Sequence, residues 1–357
     1  MGMKVVSTTL VNNSVSIVGD ALRSVSGWVD ECILIDTGPS RDGTLETARD
    51  VCMEAGRKLY VRPFEWCDDF AAARNFALES AAHVGADWAV TVDADERIDI
   101  RGADIRRVLE VAEEKVLRVN HDSGTYCKDR FIRLPAVGRW VGPMHEAYSP
   151  PVNCRTLSGV RFSELSKPPE VRAQEFQRCA RVLEKYANEH PGDPRWWYYL
   201  GDALQNLGKH RPAADAYQCC YELRGWNEES AWACYRAAEC FISMGDFRKA
   251  EEVCAMGLSR HAGIAELAWL AAYASWKRGK AEQAVYWSGL SIALGCYRGC
   301  GQEVVRIGFR NPAAQWEGPY DVLRFAYRGM REKPSLIAEA EMNYEAAKAA
   351  RLAEEGK

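Results

Sequence analysis

No stretch of this sequence approaches the ~18 uninterrupted apolar residues that a membrane-spanning helix requires. Its start, Met1-Gly2-Met3-Lys4, enters a strand-like segment with no apolar signal region. The expectation is a soluble, cytoplasmic protein without a transmembrane segment. An excess of one charge is also missing: 46 Lys and Arg face 50 Asp and Glu, for a net charge of −4. Residues 1–165 carry 20 basic against 25 acidic side chains, and residues 166–357 carry 26 against 25. That balance excludes a strongly nucleic-acid-binding chain. Histidine is scarce, with six residues in 357. Cysteine is not, at thirteen, but there is no Cys-x-x-Cys pair and the spacings are irregular. Cys219, Cys234, Cys240 and Cys254 fall at apolar helix positions and read as reduced, small hydrophobes. Cys296 and Cys300 are one helical turn apart, with no third or fourth ligand nearby. Signs of disorder are absent too, and 357 residues with 47% hydrophobic content suffice for two domains with buried cores.

What is present begins with Asp87-Trp88-Ala89-Val90-Thr91-Val92-Asp93-Ala94-Asp95-Glu96, an apolar strand that ends in three carboxylates. Hard divalent cations such as Mg²⁺ or Mn²⁺ take oxygen ligands of this kind, completed by a phosphate-bearing substrate. In an open α/β sheet the ligand crevice lies beyond the carboxyl ends of the strands, where Asp93 and Asp95 would sit. Upstream, residues 4–10 read as a first strand, Val15 to Val25 shows helical spacing, and Glu31 to Asp36 reads as a second buried strand. This alternation predicts a parallel sheet with crossover helices.

With the strand Glu31 to Asp36 running into the turn Thr37-Gly38-Pro39-Ser40-Arg41-Asp42-Gly43-Thr44, the chain resembles the family 2 glycosyltransferases. Ile33-Leu34-Ile35-Asp36-Thr37-Gly38-Pro39-Ser40-Arg41-Asp42-Gly43-Thr44 is similar to the family's strand closing on Asp-Ser/Thr-Gly-Ser-x-Asp-Gly-Thr, with one extra residue between Gly38 and Ser40. Trp66-Cys67-Asp68-Asp69-Phe70-Ala71-Ala72-Ala73-Arg74-Asn75 looks like its helix start, and the Asp-Ala-Asp-Glu segment comes at the usual distance. Arg130-Phe131-Ile132-Arg133-Leu134 and Gly138-Arg139-Trp140-Val141-Gly142-Pro143-Met144-His145-Glu146 are similar to a stretch found in a bacterial subgroup of these transferases. One departure is Asn12-Asn13-Ser14, where the family normally has Asn-Glu-Glu. The resemblance implies an α/β, nucleotide-sugar-binding GT-A domain, Rossmann-like with a mostly parallel sheet, over residues 1–166. It implies a divalent metal, Mn or Mg, and a UDP-sugar donor. Leu10, Asn12, Asp36, Asp69, Arg74, Asp93 and Ala94 are then expected at the nucleotide, and Asp95, Asp93 and His145 at the metal.

Plainer roles exist for several of these residues. Asp36 before Gly-Pro suits a turn, Asp69 suits a helix N-cap, and Arg74 suits either a solvated helix face or a partner for phosphate or a base edge. Family members invert the anomeric centre by direct displacement, so a hydroxyl acceptor needs a general base opposite the diphosphate. Glu146 is the first candidate and His145 the second, as base or as metal or diphosphate contact; Asp129 and Asp122 remain available.

After Ser166-Lys167-Pro168-Pro169 the chain becomes Ala-rich and self-similar. Trp197-Tyr198-Tyr199-Leu200 with Leu207-Gly208 and Ala213-Ala214 returns as Tyr235-Arg236-Ala237-Ala238 with Met244-Gly245 and Ala250, then as Leu270-Ala271-Ala272 with Arg278-Gly279 and Ala284. This period resembles tetratricopeptide repeats and predicts an all-α repeat domain over 170–357, with Trp196 and Trp197 in its core and Ile337 to Leu352 as a capping helix. Arg298, Arg306, Arg310, Arg324, Arg328 and Arg331 interleave with Tyr297, Phe309, Trp316, Tyr320, Phe325 and Tyr327. Such a pattern is either a polyanion or glycan surface or core aromatics beside a solvated face. The expected activity is metal-dependent, inverting sugar transfer to a macromolecular acceptor: a glycan, a peptide, or hydroxymethylated bases of phage DNA. The competing expectation is an inactive, transferase-like scaffold whose repeats bind a partner.

Overall fold

The computed structural model describes residues 2–124, 126–150, 152–297, 310–331 and 334–355. The chain divides into two compact units, Met1–Pro168 and Pro169–Lys357.

In the first unit β1 (Val5–Val11), α1 (Val15–Ser26), β2 (Glu31–Asp36), α2 (Thr44–Glu54), β3 (Lys58–Pro63), α3 (Phe70–His83) and β4 (Trp88–Thr91) alternate as expected. Then come β5 (Glu96–Ile100), α4 (Ile105–Val111), β6 (Val116–His121), β7 (Cys127–Arg133), β8 (Arg139–Val141), β9 (Ala147–Ser149) and β10 (Cys154–Glu164). The sheet order is β3-β2-β1-β4-β7-β6-β10-β5, with β8 and β9 forming a separate ribbon. β3, β2, β1 and β4 are parallel, whereas β7 runs antiparallel to both β4 and β6, and β5 antiparallel to β10. The sheet is therefore mixed, with its parallel half first.

Burial explains the order. β1 and β2 are buried on both faces because α1 and α2 cover one and α3 the other: Val5, Leu34 and Trp88 join the first core, Val6, Ile33 and Ala89 the second. The face α3 turns to the sheet is built from Ala71, Ala77, Leu78 and Ala81, which lets the helix lie close. Register then fixes the site. Val11 pairs with Asp36, and Thr8 with Thr91, so Asp36, the Leu10–Asn12 segment and Asp93 all emerge at the carboxyl ends of neighbouring strands.

β7 contains a bulge. Leu117 pairs with Phe131 and the next residue, Arg118, pairs with Asp129, leaving Arg130 as the extra residue. A bulge re-aims a side chain, and here it turns a guanidinium towards the end of β4. Arg130 is 2% exposed.

The second unit is helical: α5 (Pro169–Glu189), α6 (Pro194–Asn206), α7 (His210–Glu222), α8 (Asn227–Ser243), α9 (Phe247–Arg260), α10 (Ala265–Lys277), α11 (Ala281–Leu294), α12 (Pro312–Gln315), α13 (Gly318–Gly329) and α14 (Pro334–Glu355). The pairs α6/α7, α8/α9 and α10/α11 turn at Gly208, Gly245 and Gly279, whose φ of 72°, 76° and 73° explains the recurrent glycine. Gly201 has a different reason: a Cβ there would stand 2.7 Å from the buried Tyr217 ring. Trp196 is core, and the Trp197 indole donates to the Pro191 carbonyl at 3.1 Å.

Of the Arg and aromatic series, Arg298, Arg306 and Phe309 lie outside the described residues, as does Cys300. Tyr320 is core, Tyr297 packs on Trp316 and Tyr320, and Arg324 and Arg328 pair with Asp321 and Glu341. In the described part the aromatics Tyr297, Trp316 and Tyr320 pack together, while Arg310 and Arg331 are exposed. No helix among the described residues is long and apolar enough to cross a membrane, and the cysteines described are free.

Candidate active site

The strand β4 runs into a turn that is held by its own last carboxylate. The Asp93 N–H donates to Glu96 Oε2 at 3.2 Å, and the Glu96 N–H donates to the Asp93 carbonyl at 2.9 Å. Glu96 is fully buried. Its Oε1 accepts from Lys128 Nζ at 2.9 Å and from Arg130. A buried charge must be paired and hydrogen-bonded, so β7 supplies the two cations that hold the turn.

Asp93 lies between two guanidiniums. Arg74 Nη2 donates to its Oδ2 at 3.0 Å, Arg74 Nη1 stands 2.8 Å from its Oδ1, and Arg130 Nη2 donates to Oδ2 at 3.2 Å. Burial alone would push the Asp93 carboxyl up; the charges of Arg74 and Arg130 overcome it and hold the group well below the usual carboxylate range. Arg74 responds in kind. Burial opposes its charge, yet Asp93 and Glu146 carry it well above the ordinary arginine value. In Glu96 burial prevails: desolvation, aided by the Asp93 charge, pushes its carboxyl up against the pull of Arg130 and Lys128.

The same Arg74 reaches Glu146 through Nε and lies over the Trp140 ring at 5.6 Å. Asn75, beside it, pins the backbone of β8: the Trp140 N–H donates to Asn75 Oδ1 at 2.8 Å, and Asn75 Nδ2 donates to the Trp140 carbonyl at 2.9 Å. The Phe70 N–H donates to the Pro143 carbonyl at 2.9 Å. The start of α3 thus fixes the β8–β9 loop, in which His145 takes a left-handed φ of 51°. A cleft of about 330 Å³ opens between these parts, lined by Arg74, Lys128, Asp129, Arg130, Trp140, His145 and Glu146, among others.

The remaining expected residues fall into two groups. Asp69 is the N-cap of α3, accepting from the Ala72 N–H at 2.9 Å. Asp36 is buried and organises its own turn, accepting from the Ser40 N–H at 3.2 Å and from Ser40 Oγ at 2.8 Å. Asn12 Nδ2 donates to the Gly38 carbonyl at 2.8 Å, while Asn13 Oδ1 accepts from the Arg41 N–H at 2.9 Å. The Asn12-Asn13-Ser14 departure therefore ties the loop after β1 to the loop after β2. Gly38, at φ 148°, has no room for a Cβ, which would meet Asn12 Nδ2 at 2.9 Å. Leu10 is half-buried at the end of β1, and the Ala94 side chain packs into the core. Asp129 accepts from Arg118 Nε at 2.8 Å in the cleft wall. Asp122 pairs with Arg101 at 2.7 Å and is not among the residues lining the cleft.

Asp93, Asp95 and His145 do not assemble into a protein-only metal cage. Among the described residues no three His, Cys, Asp or Glu side chains converge on one point. The physical reason is visible: Asp93 is taken by arginines, and Asp95 Oδ2 lies 2.8 Å from Lys167 Nζ. Mg²⁺-type ions need fewer protein ligands, one or two carboxylates with substrate phosphates and waters. Asp95, whose side chain is 25% exposed, fits that donor set. Arg130, Glu96, Asn75 and Lys167 have no role assigned from sequence; for the first three, their place inside the quoted motif segments was the available signal.

The sequence of the first unit matches a known family. Residues 9–146 match the family model of Glycosyl transferase family 2. The N-terminal unit carries a family 2 glycosyltransferase domain. The matched segment ends on Glu146, at the cleft. A TPR repeat-containing protein of Synechococcus elongatus is 36% identical over 224 residues, covering 57% of this chain and 53% of that protein. The chain thus spans about half the length of this curated relative. Among solved structures, residues 1–349 of S. aureus TarS align with a TM-score of 0.43 at 12% identity, over 73% of this chain and 92% of that one. MamA of Desulfovibrio magneticus RS-1 aligns with a TM-score of 0.37 at 17% identity, over 51% of this chain and 95% of that one. At such scores the likeness carries no functional weight. The domain is followed by a tetratricopeptide-like helical region.

Proposed function

We propose that the protein transfers a sugar from a nucleotide-sugar donor, a UDP-sugar first among the candidates, to a hydroxyl of a macromolecular acceptor with inversion at the anomeric carbon. The observation that carries this reading is the chain of ion pairs Asp93–Arg74–Glu146, which joins the end of β4 to the β8–β9 loop across one cleft. In this reading the segments after β1 and β2, with Leu10, Asn12 and Asp36, receive the base and ribose. Asp93 faces the ribose. Arg74 acts through others: buried and paired on both sides, it positions Asp93 and Glu146 rather than reaching for the base.

Glu146 is the general base. Arg74 keeps its carboxylate fixed at the cleft wall, and the carboxylate takes the proton of the acceptor hydroxyl as the hydroxyl oxygen attacks. His145, next to it in the same wall, is the alternative acceptor of that proton. A divalent cation held by Asp95 and the donor's phosphates would supply charge neutralisation for the departing diphosphate. Lys128 and Arg130 add fixed positive charge on the β7 side of the cleft.

A panel of nucleotide sugars with Mn²⁺ tests the reading through slow donor hydrolysis, which needs no acceptor. Turnover of one or two members is expected, and it should fall by at least about a hundredfold in Glu146→Gln. Absence of both binding and hydrolysis across the panel would favour the scaffold.

A further inference from the structure

The second aspartate of the strand-end motif is already occupied by a cation of the protein itself. Glu164, the last residue of β10, pairs in register with Glu96. The ladder continues one step further, the Leu165 N–H donating to the Asp95 carbonyl at 2.9 Å. This fixes the backbone of the segment after β10 alongside the turn, and two residues on, Lys167 returns its ammonium to Asp95 Oδ2 at 2.8 Å. Each carboxylate of the turn then has its own counter-ion: Asp93 has Arg74 and Arg130, Glu96 has Arg130 and Lys128, and Asp95 has Lys167. The guanidiniums of the first two sets, Arg74 and Arg130, are buried. Lys128 is as exposed as Lys167, at 34% against 35%, but it shares Glu96 with the buried Arg130, whereas Asp95 meets Lys167 on a flexible, partly solvated stem.

Resting on the proposed transferase function, we propose that Lys167 is a resident counter-ion of Asp95 that a divalent metal must displace, so that the metal enters with the donor diphosphate and not ahead of it. An ammonium and a dication on one carboxylate repel each other, and a hard cation takes a carboxylate oxygen directly. A bare metal ion would evict the lysine in exchange for a single protein carboxylate. A metal arriving with a nucleoside diphosphate brings its own phosphate oxygens, and the evicted ammonium then has phosphate charge to pair with. Lysine suits this duty because its compact charge can swing, where the forked guanidinium of an arginine would hold the carboxylate more firmly.

The experiment measures free Mn²⁺ by electron paramagnetic resonance while it is titrated into the full chain, with and without saturating UDP. Parent, Lys167→Met, Lys167→Arg and Asp95→Asn are compared after melting curves show all to be folded. Without UDP, Lys167→Met is expected to bind Mn²⁺ roughly fivefold to tenfold more tightly than parent, the range of a partly exposed ion pair removed together with its repulsion. Lys167→Arg should bind no more tightly than parent. With UDP, the advantage of Lys167→Met should shrink or invert. Equal Mn²⁺ affinity of parent and Lys167→Met without UDP overturns the displacement, and an advantage undiminished by UDP overturns the link to the diphosphate. In either case an Asp95→Asn variant that has lost Mn²⁺ leaves the metal reading of the site standing. Binding undisturbed in Asp95→Asn, or absent from every protein, overturns both.

Discussion

Arg74 holds two carboxylates contributed by distant stretches of chain, and that makes its neighbours unequal in what they give to stability. Asp93 is half-buried between two buried guanidiniums, so Asp93→Asn leaves their positive charge in a low-dielectric setting with less to balance it. The expected loss is about 3 kcal/mol at neutral pH, read as a fall in melting temperature or denaturant midpoint. The pH dependence follows from linkage. The native Asp93 carboxyl titrates below its unfolded value of ~3.9, so its contribution is whole above that pH and is lost as pH falls towards the native value. The gap between parent and variant should be constant from about pH 5 to 8 and close below about pH 4. Asp95→Ala contrasts with it. Its ion pair with Lys167 is partly solvated, so the fold should lose less than about 1 kcal/mol while donor turnover disappears. A variant that kept turnover in the presence of chelator would remove Asp95 from the metal.

At the scale of elements, the first turns of α3 do more than end a loop. Asp69 caps the helix, Arg74 gathers the two acids, and Asn75 closes a reciprocal pair of hydrogen bonds with the Trp140 backbone. Asn75→Ala is expected to loosen the β8–β9 loop, costing about 1–3 kcal/mol for the two orphaned backbone groups. The damage should appear in donor hydrolysis at Glu146 more than in nucleotide affinity, a split that kinetics and calorimetry separate. Equal losses in both would mean that the loop also shapes the nucleotide site. These elements differ in how legible they were. Period and apolar runs announce β1, β2, β4 and α3, and glycines at φ near 75° announce the helix turns. What pairs with a carboxylate is a three-dimensional fact. Nothing local in the sequence tells that Arg130 is the spare residue of a bulge, that Glu96 faces inward while Asp95 faces out, or that Lys167 comes back beside the motif. Asp36 shows the opposite case: its turn-forming role, readable from Asp before Gly-Pro, is what the hydrogen bonds display.

For the molecule as a whole, the expected donor residues all precede residue 147, which leaves the helical unit free for another duty. An array of stacked helix pairs presents extended surface, and the reading that follows is that residues 169–357 serve a large acceptor. Truncation after Pro168 should then preserve slow donor hydrolysis within about twofold and raise the acceptor KM by more than about tenfold. A truncated domain that modified its acceptor as well as the full chain would assign the helices elsewhere.

The bulge at Arg130 divides β7 into two runs that are out of phase. Phe131 to Arg133 keep time with β4 and the core, whereas Cys127 to Asp129 lie beyond the end of β4 and answer to β6 alone. A one-residue offset between them means that the cleft-facing run can change its chemistry without propagating a register shift into the hydrophobic layers. Lys128 belongs to the freed run and reaches Glu96 from it, so a counter-ion of the motif turn is held in one phase and the core side chains of the strand in the other.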